Sequence, residues 1–260
     1  MDNREQPVLQ ILAGVNGAGK STLYEQALDK SFPFINADLI AKQIAPTDVN
    51  NPQVSVQAGR EALRQIQQAF DNNQSFTFET TLSSRQSLNT IQMAKDRGYR
   101  IELYYVGLAN REMSAERVAS RVNEGGHDIP GDALIRRFDK SMANLSKAIS
   151  QSDLVVIYDN SRQQRDIIYK QVDNRMVSRA ENLPDWADTA IKKYEILSFY
   201  NKELQAEAEQ RGIKIDTVSG MIEKKILAAS REETLKMHGD TFLQKNLGKD
   251  SAKKSPEPEP

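Results

Sequence analysis

Val8-Leu9-Gln10-Ile11-Leu12-Ala13, running directly into Gly14-Val15-Asn16-Gly17-Ala18-Gly19-Lys20-Ser21-Thr22, is the stretch that decides the fold. The first part reads as a buried strand. The second has the spacing G-x-x-x-x-G-K-[ST] and leads into a helix expected from Lys20 to Asp29. Such a loop holds phosphate only when a strand delivers a tight turn into a helix whose first N–H groups are unpaired. Gly14, Asn16, Gly17, Ala18, Gly19, Lys20, Ser21 and Thr22 are therefore the expected nucleotide-binding residues. Lys20 would reach the β- and γ-phosphates of ATP, and the Ser21 hydroxyl would sit on Mg²⁺.

Outward from this loop, strands and helices alternate. Phe32 to Asn36 reads as a short strand ending at Asp38, and Ala58, Ala62, Ile66, Ala69 and Phe70 recur at helical spacing. Ser75 to Thr80 alternates as a strand, a helix covers Arg85 to Arg97, and Tyr99 to Val106 and Asp153 to Tyr158 are the remaining apolar strands. Strands separated by helices call for a mainly parallel sheet of five strands, covered on both faces: a three-layer α/β fold. Ligands of such sheets bind beyond the carboxyl ends of the strands, which brings residues 14–22, Asp38, Glu79 and Thr81 to one rim.

Before the last of these strands come two helices, about Ser114 to Val122 and Asp132 to Ile149. Asn123-Glu124-Gly125-Gly126-His127-Asp128-Ile129-Pro130-Gly131 joins them. Arg117 and Arg121 lie one turn apart on the first, and Arg136 and Arg137 sit on the second. The pair reads either as a lid carrying an electrostatic clamp or as a solvated hairpin with ordinary surface arginines. His127 suits a backbone bend better than a ligand role. Beyond Arg162 the pattern weakens: residues 163–179 are mixed, with room for one more edge element. The expected organisation is a phosphate-binding domain over 1–180, a helical extension over 181–248, and a disordered Pro-rich tail over 249–260. The partial apolar faces around Trp186, Tyr194, Leu197, Tyr200, Ile222, Ile226 and Leu227 should pack on the domain or form an interface.

Composition narrows the chemistry. The 260 residues carry no cysteine and two histidines, which excludes disulfides, thiolate nucleophiles and cysteine-rich zinc sites. A net charge of -1 and a pI near 6.2 argue against a broad nucleic-acid footprint. The polar start and a first apolar run of only six residues resemble neither a secretory signal nor a membrane span, so the cytoplasm is the expected location.

Phosphoryl transfer needs a way to orient the nucleophile, a metal, and positive charge over the moving group. Asp38 could accept a proton or hydrogen bond from a substrate hydroxyl, or it could serve as a structural cap of the helix that begins there. Glu79 could face water-bound Mg²⁺ or a polar substrate group, or be a charged strand end exposed by chance. Arg85 could approach the acceptor, although a helix N-terminus disfavours a cation.

Together these segments resemble the zeta toxin family of small P-loop kinases. The resemblance rests on residues 14–22, Asn36-Ala37-Asp38, Phe76-Thr77-Phe78-Glu79-Thr80-Thr81-Leu82-Ser83, Gly125 to Pro130, Ile135 to Phe138 and Tyr158-Asp159-Asn160-Ser161. It spans about residues 8–162. The resemblance implies ATP-dependent phosphorylation of a small-molecule hydroxyl, with UDP-N-acetylglucosamine as the acceptor and an antitoxin protein as partner. It implies that Asp38 activates the acceptor, that Glu79 and Thr81 lie on the substrate side, and that lid arginines from the 117/121 and 136/137 pairs balance charge. The short Glu-Thr-Thr-Leu-Ser segment and the Gly125-Gly126-His127 linker depart from the family pattern, and both bear on the acceptor more than on transfer. Two other readings use the same residues: a nucleotide, nucleoside or nucleic-acid-end kinase, and an ATP-gated protein-interaction module.

Overall fold

A computed structural model describes residues 6–123, 129–196 and 198. The chain divides into two units, Met1–Tyr194 and Glu195–Pro260. Nearly all of the second lies outside the described residues, as do the expected helical run around Ile222 and the Pro-rich tail.

The first unit is built on one sheet. Strand β1 (Val8–Gly14) leads into helix α1 (Lys20–Ala27), and β2 (Phe34–Ile35) into α2 (Ala37–Ile44). Helix α3 (Pro52–Asp71) precedes β3 (Phe76–Thr80), and α4 (Arg85–Asp96) precedes β4 (Arg100–Gly107). The helical pair α5 (Arg111–Asn123) and α6 (Gly131–Gln151) returns to β5 (Leu154–Asp159). These five strands are parallel in the order β2-β3-β1-β4-β5. Parallel neighbours cannot be joined by tight hairpins, and here helices lie between successive strands.

The sheet has seven strands rather than the expected five. β6 (Asp166–Val172) and β7 (Arg175–Arg179) add an antiparallel hairpin next to β5. All five side chains of β7 are exposed, so this strand carries no alternating apolar signal. Its turn, Asp173-Asn174, takes positive φ at both residues (48° and 60°), the backbone of a tight hairpin.

Side chains alternate across the sheet as strand geometry requires. Leu9, Ile11, Ile101, Leu103, Tyr105, Val155 and Ile157 join a core with α3, α4 and α6, while Leu12, Val106, Val156 and Tyr158 meet Leu23 and Leu28 in a second cluster. Each fully buried Leu or Ile here contributes roughly 2 kcal/mol. Trp186, Ala187, Ala190, Ile191 and Tyr194 belong to the larger core, so residues up to 194 complete this unit although the sequence pattern separates them from 181 onward. Trp186 lies so close over Gly107 that a β-carbon there would sit 2.2 Å from the indole.

Helix boundaries have local causes. Asn51 and Ser84 accept backbone hydrogen bonds from Gln53 and Ser87 and start α3 and α4, with Pro52 in the first turn of α3. Helix α5 begins three residues before the expected Ser114, where Asn110 accepts from the Met113 amide at 2.8 Å. Among the described residues, no helix is long and apolar enough to cross a membrane.

Candidate active site

The loop between β1 and α1 opens at the carboxyl edge of the central strand. Gly14 (φ 143°) lies against β4, where a β-carbon would be 2.1 Å from the Val106 carbonyl oxygen. Gly17 (φ 72°) and Gly19 (φ 87°) take left-handed backbone that favours glycine. Gly19 is the N-cap of α1 with no side-chain cap, and the first turn holds no acidic residue. Helices α2, α3 and α4 each have a side chain over their first amides, whereas α1 presents its own to an incoming anion. Ser21 and Thr22 are exposed in that turn.

Lys20 is buried. Its Nζ donates to the Gly14 and Val15 carbonyls at 3.1 and 3.2 Å and lies 3.7 Å from Glu79 Oε1. Glu79 is the next-to-last residue of β3, with 13% of its side chain exposed, so it is not an exposed strand end. Asn36 Nδ2 donates to its other oxygen at 2.6 Å. Burial pushes the Glu79 carboxyl above its ordinary range; Lys20 opposes this, Asp38 adds to it, and Asn36 again opposes it.

Asp38 is exposed beside this cluster and is not the helix cap. The cap is Asn36, whose Oδ1 accepts from the Asp38 and Leu39 amides at 2.7 and 3.2 Å. Asn36 therefore fixes α2 with its oxygen and Glu79 with its nitrogen, leaving the Asp38 carboxylate on the rim.

The segment after Glu79 is a hydroxyl-rich turn. Thr81 Oγ1 and Ser83 Oγ are 2.8 Å apart, and Thr80 Oγ1 accepts from the Leu82 amide at 3.0 Å. Leu82 is fully buried with φ 57°, and Asn144 of α6 donates to its carbonyl at 2.8 Å. A non-glycine residue held in this conformation marks a turn fixed by its surroundings. Arg85 follows it, exposed in the first turn of α4.

Helices α5 and α6 hold each other through Val118, Ile129, Ala133 and Leu134, and through an Arg111–Asp139 ion pair at 2.7 Å. Arg121 is partly buried on α5, and Arg136 and Arg137 are exposed on α6. Arg117 donates from Nη2 to the Asn160 carbonyl at 2.8 Å. Gly125, Gly126, His127 and Asp128 of the linker lie outside the described residues. Among the described residues, no cluster of three or more acidic or histidine side chains could hold a metal by itself. Magnesium in a nucleotide site keeps waters and phosphate oxygens and needs few protein ligands, so the Ser21 hydroxyl fits that requirement.

Sequence reasoning overlooked Asn36, Ser114 and Asn160 as supports of this site. Ser114 Oγ donates to the Asn16 carbonyl at 2.7 Å, and Asn160 Nδ2 to the Ala18 carbonyl at 2.8 Å. Both reach the loop from about a hundred residues or more away, a distance that no local pattern reveals.

A family model described as Zeta toxin matches residues 1–173. An uncharacterized protein of Haemophilus influenzae is 35% identical over 126 residues, which are 48% of this chain and 88% of that protein. In fold, the chain resembles one from the AvrRxo1-ORF1:-ORF2 complex solved with ATP. Identity there is 15% and the TM-score 0.57, covering 84% of this chain and 76% of that one. The same complex solved with sulphate ions gives a TM-score of 0.56 at 17% identity, covering 73% of this chain and 64% of that one. The match thus spans slightly less than two thirds of the latter chain.

Proposed function

The chain belongs to the zeta toxin family of P-loop kinases, and on that premise we propose that it transfers the γ-phosphoryl group of ATP to a hydroxyl of a small molecule. The observation that carries this reading is the adjacency of a buried Lys20–Glu79–Asn36 cluster to the exposed Asp38 carboxylate.

In this reading the amides of Gly17, Gly19 and the first turn of α1 hold the phosphates, and Lys20 moves from its carbonyl partners to the β- and γ-phosphate oxygens. The Ser21 hydroxyl would hold Mg²⁺, which would supply neutralising positive charge to the phosphates. Asp38 accepts the acceptor's proton as its oxygen forms a bond to the γ-phosphorus and the bond to ADP breaks. Glu79 and Thr81, with Arg85 at the outer edge, contact the acceptor. Arg121, Arg136 and Arg137 supply positive charge from the helical pair, and Arg117 remains a contributor whose guanidinium rests on the Asn160 carbonyl.

UDP-N-acetylglucosamine is the acceptor that the family resemblance implies. An antitoxin that covers the nucleotide rim is the implied partner; the fold neighbour solved as a two-protein complex gives this a parallel. The test is incubation with ATP, Mg²⁺ and a panel of sugar nucleotides, nucleosides, nucleotides, RNA ends and cell metabolites, read by mass spectrometry. A phosphorylated small molecule that Asp38→Asn fails to produce supports the reading. ATP consumption without any phosphorylated product points instead to an ATP-gated interaction module.

A further inference from the structure

The phosphate loop does not hold its shape alone. Two of its carbonyls point outward to side chains from elsewhere in the fold: Asn16 to the Ser114 hydroxyl at 2.7 Å and Ala18 to Asn160 Nδ2 at 2.8 Å. A peptide unit is planar and trans, so its C=O and the next residue's N–H point in opposite directions. Drawing the Asn16 carbonyl outward aims the Gly17 N–H inward, and drawing the Ala18 carbonyl outward aims the Gly19 N–H inward. Successive inward N–H groups in alternating backbone conformations form an anion-binding concavity.

Asn160 is itself held firmly. Its amide donates to the Gly107 carbonyl at 3.1 Å, and its carbonyl accepts from Arg117 at 2.8 Å. Asp159 Oδ1 accepts from the Ser161 amide at 3.2 Å and fixes the turn around it. The fit leaves no slack, since a β-carbon on Gly19 would lie 2.8 Å from Asn160 Nδ2 and one on Gly17 3.0 Å from Arg117 Cβ.

We infer that Asn160 and Ser114 are positioning residues for nucleotide: they act on ATP through the Ala18 and Asn16 peptide units, and Arg117 serves them by anchoring Asn160. The inference rests on the kinase reading for its ligand but assigns residues and a role that this reading does not require.

The test uses the full chain and two probes, ATP and inorganic tripolyphosphate, titrated by calorimetry. Asn160→Asp keeps the shape but turns an oxygen toward the Ala18 carbonyl, so both probes should bind roughly tenfold more weakly or worse, the cost of a lost hydrogen bond plus an opposed acceptor. Ser114→Ala, which leaves Asn160 intact, should weaken both by about threefold to tenfold. Equal losses for ATP and tripolyphosphate, with KM for ATP rising more than kcat falls, support an action on the phosphate cradle. Wild-type affinity for both probes in both variants overturns it. Loss of ATP affinity with tripolyphosphate binding intact also overturns it, because the effect would then lie away from the phosphates. If Asn160→Asp fails to fold, Ser114→Ala decides by the same criteria. A wild-type protein that binds neither probe defeats the kinase reading itself and the inference with it.

Discussion

Lys20 and Glu79 face each other 3.7 Å apart beneath the rim, with 8% and 13% of their side chains exposed. Opposite charges so placed lower each other's cost of burial, and the lysine keeps two backbone carbonyls as further partners. In the proposed reaction Lys20 serves the nucleotide and Glu79 the acceptor, so substitutions at this pair test both roles.

Glu79→Gln should reveal the buried carboxyl through pH. Burial raises its folded-state value above the ordinary 4.5. Between those two values the folded chain binds more protons than the unfolded one, so this group's contribution to stability falls as pH rises through that window. Glutamine does not titrate. The melting temperature of the variant should therefore gain on wild type as pH is raised from 4.5 toward neutrality, whereas a constant offset would contradict a raised carboxyl.

Asp38→Asn should separate chemistry from binding. Asp38 is exposed and Asn36 caps α2, so the melting temperature should stay near wild type and ATP affinity should persist. Phosphoryl transfer should drop by about 10²- to 10⁴-fold, the usual contribution of a positioned general base. Single-turnover assays with excess enzyme would measure it; unchanged transfer would remove Asp38 from the chemistry.

Lys20→Ala should abolish detectable ATP binding and leave Glu79 buried without its counter-charge. Inducible expression of wild type should arrest bacterial growth, while the alanine variant at equal protein level should not. Equal growth of the two strains would assign the kinase to housekeeping metabolism.

Gly107→Ala tests how the end of the first unit is held. The added methyl would meet the indole of Trp186 at 2.2 Å, and overpacking of this kind costs about 1–3 kcal/mol. A lower melting temperature should accompany a change in the emission of the single tryptophan. Wild-type emission and stability would show that this packing gives way freely.

The phosphate loop was legible because binding phosphate dictates residue types at fixed spacing next to an apolar strand, and β1 through β5 followed from apolar runs between turn residues. β7 was not, since Arg175 to Arg179 buries nothing and only its Asp173-Asn174 turn carries a hairpin signal. The role of Asn36 could have been found from its position just before α2, where asparagine is a favoured cap. The supports at Ser114 and Asn160 could not: a side chain meeting a backbone carbonyl 98 or 142 positions away leaves no periodicity in the sequence. Arg117 shows the same limit. Its residue type suggested a clamp on phosphate, while its geometry ties it to the Asn160 carbonyl.

The reach from Asn160 back to Ala18 has a consequence during synthesis. The whole G-x-x-x-x-G-K-[ST] stretch is synthesised before β5, yet the strut that sets its Ala18–Gly19 peptide unit follows β5 in the chain. Parallel pairing of this kind must wait for its crossovers, and domains generally fold as units. A nascent or prematurely terminated chain that stops short of residue 160 would thus carry the complete motif and lack a finished cradle. On the inference above, such a chain would hold nucleotide more weakly than the finished one, for want of the Asn160 hydrogen bond to Ala18.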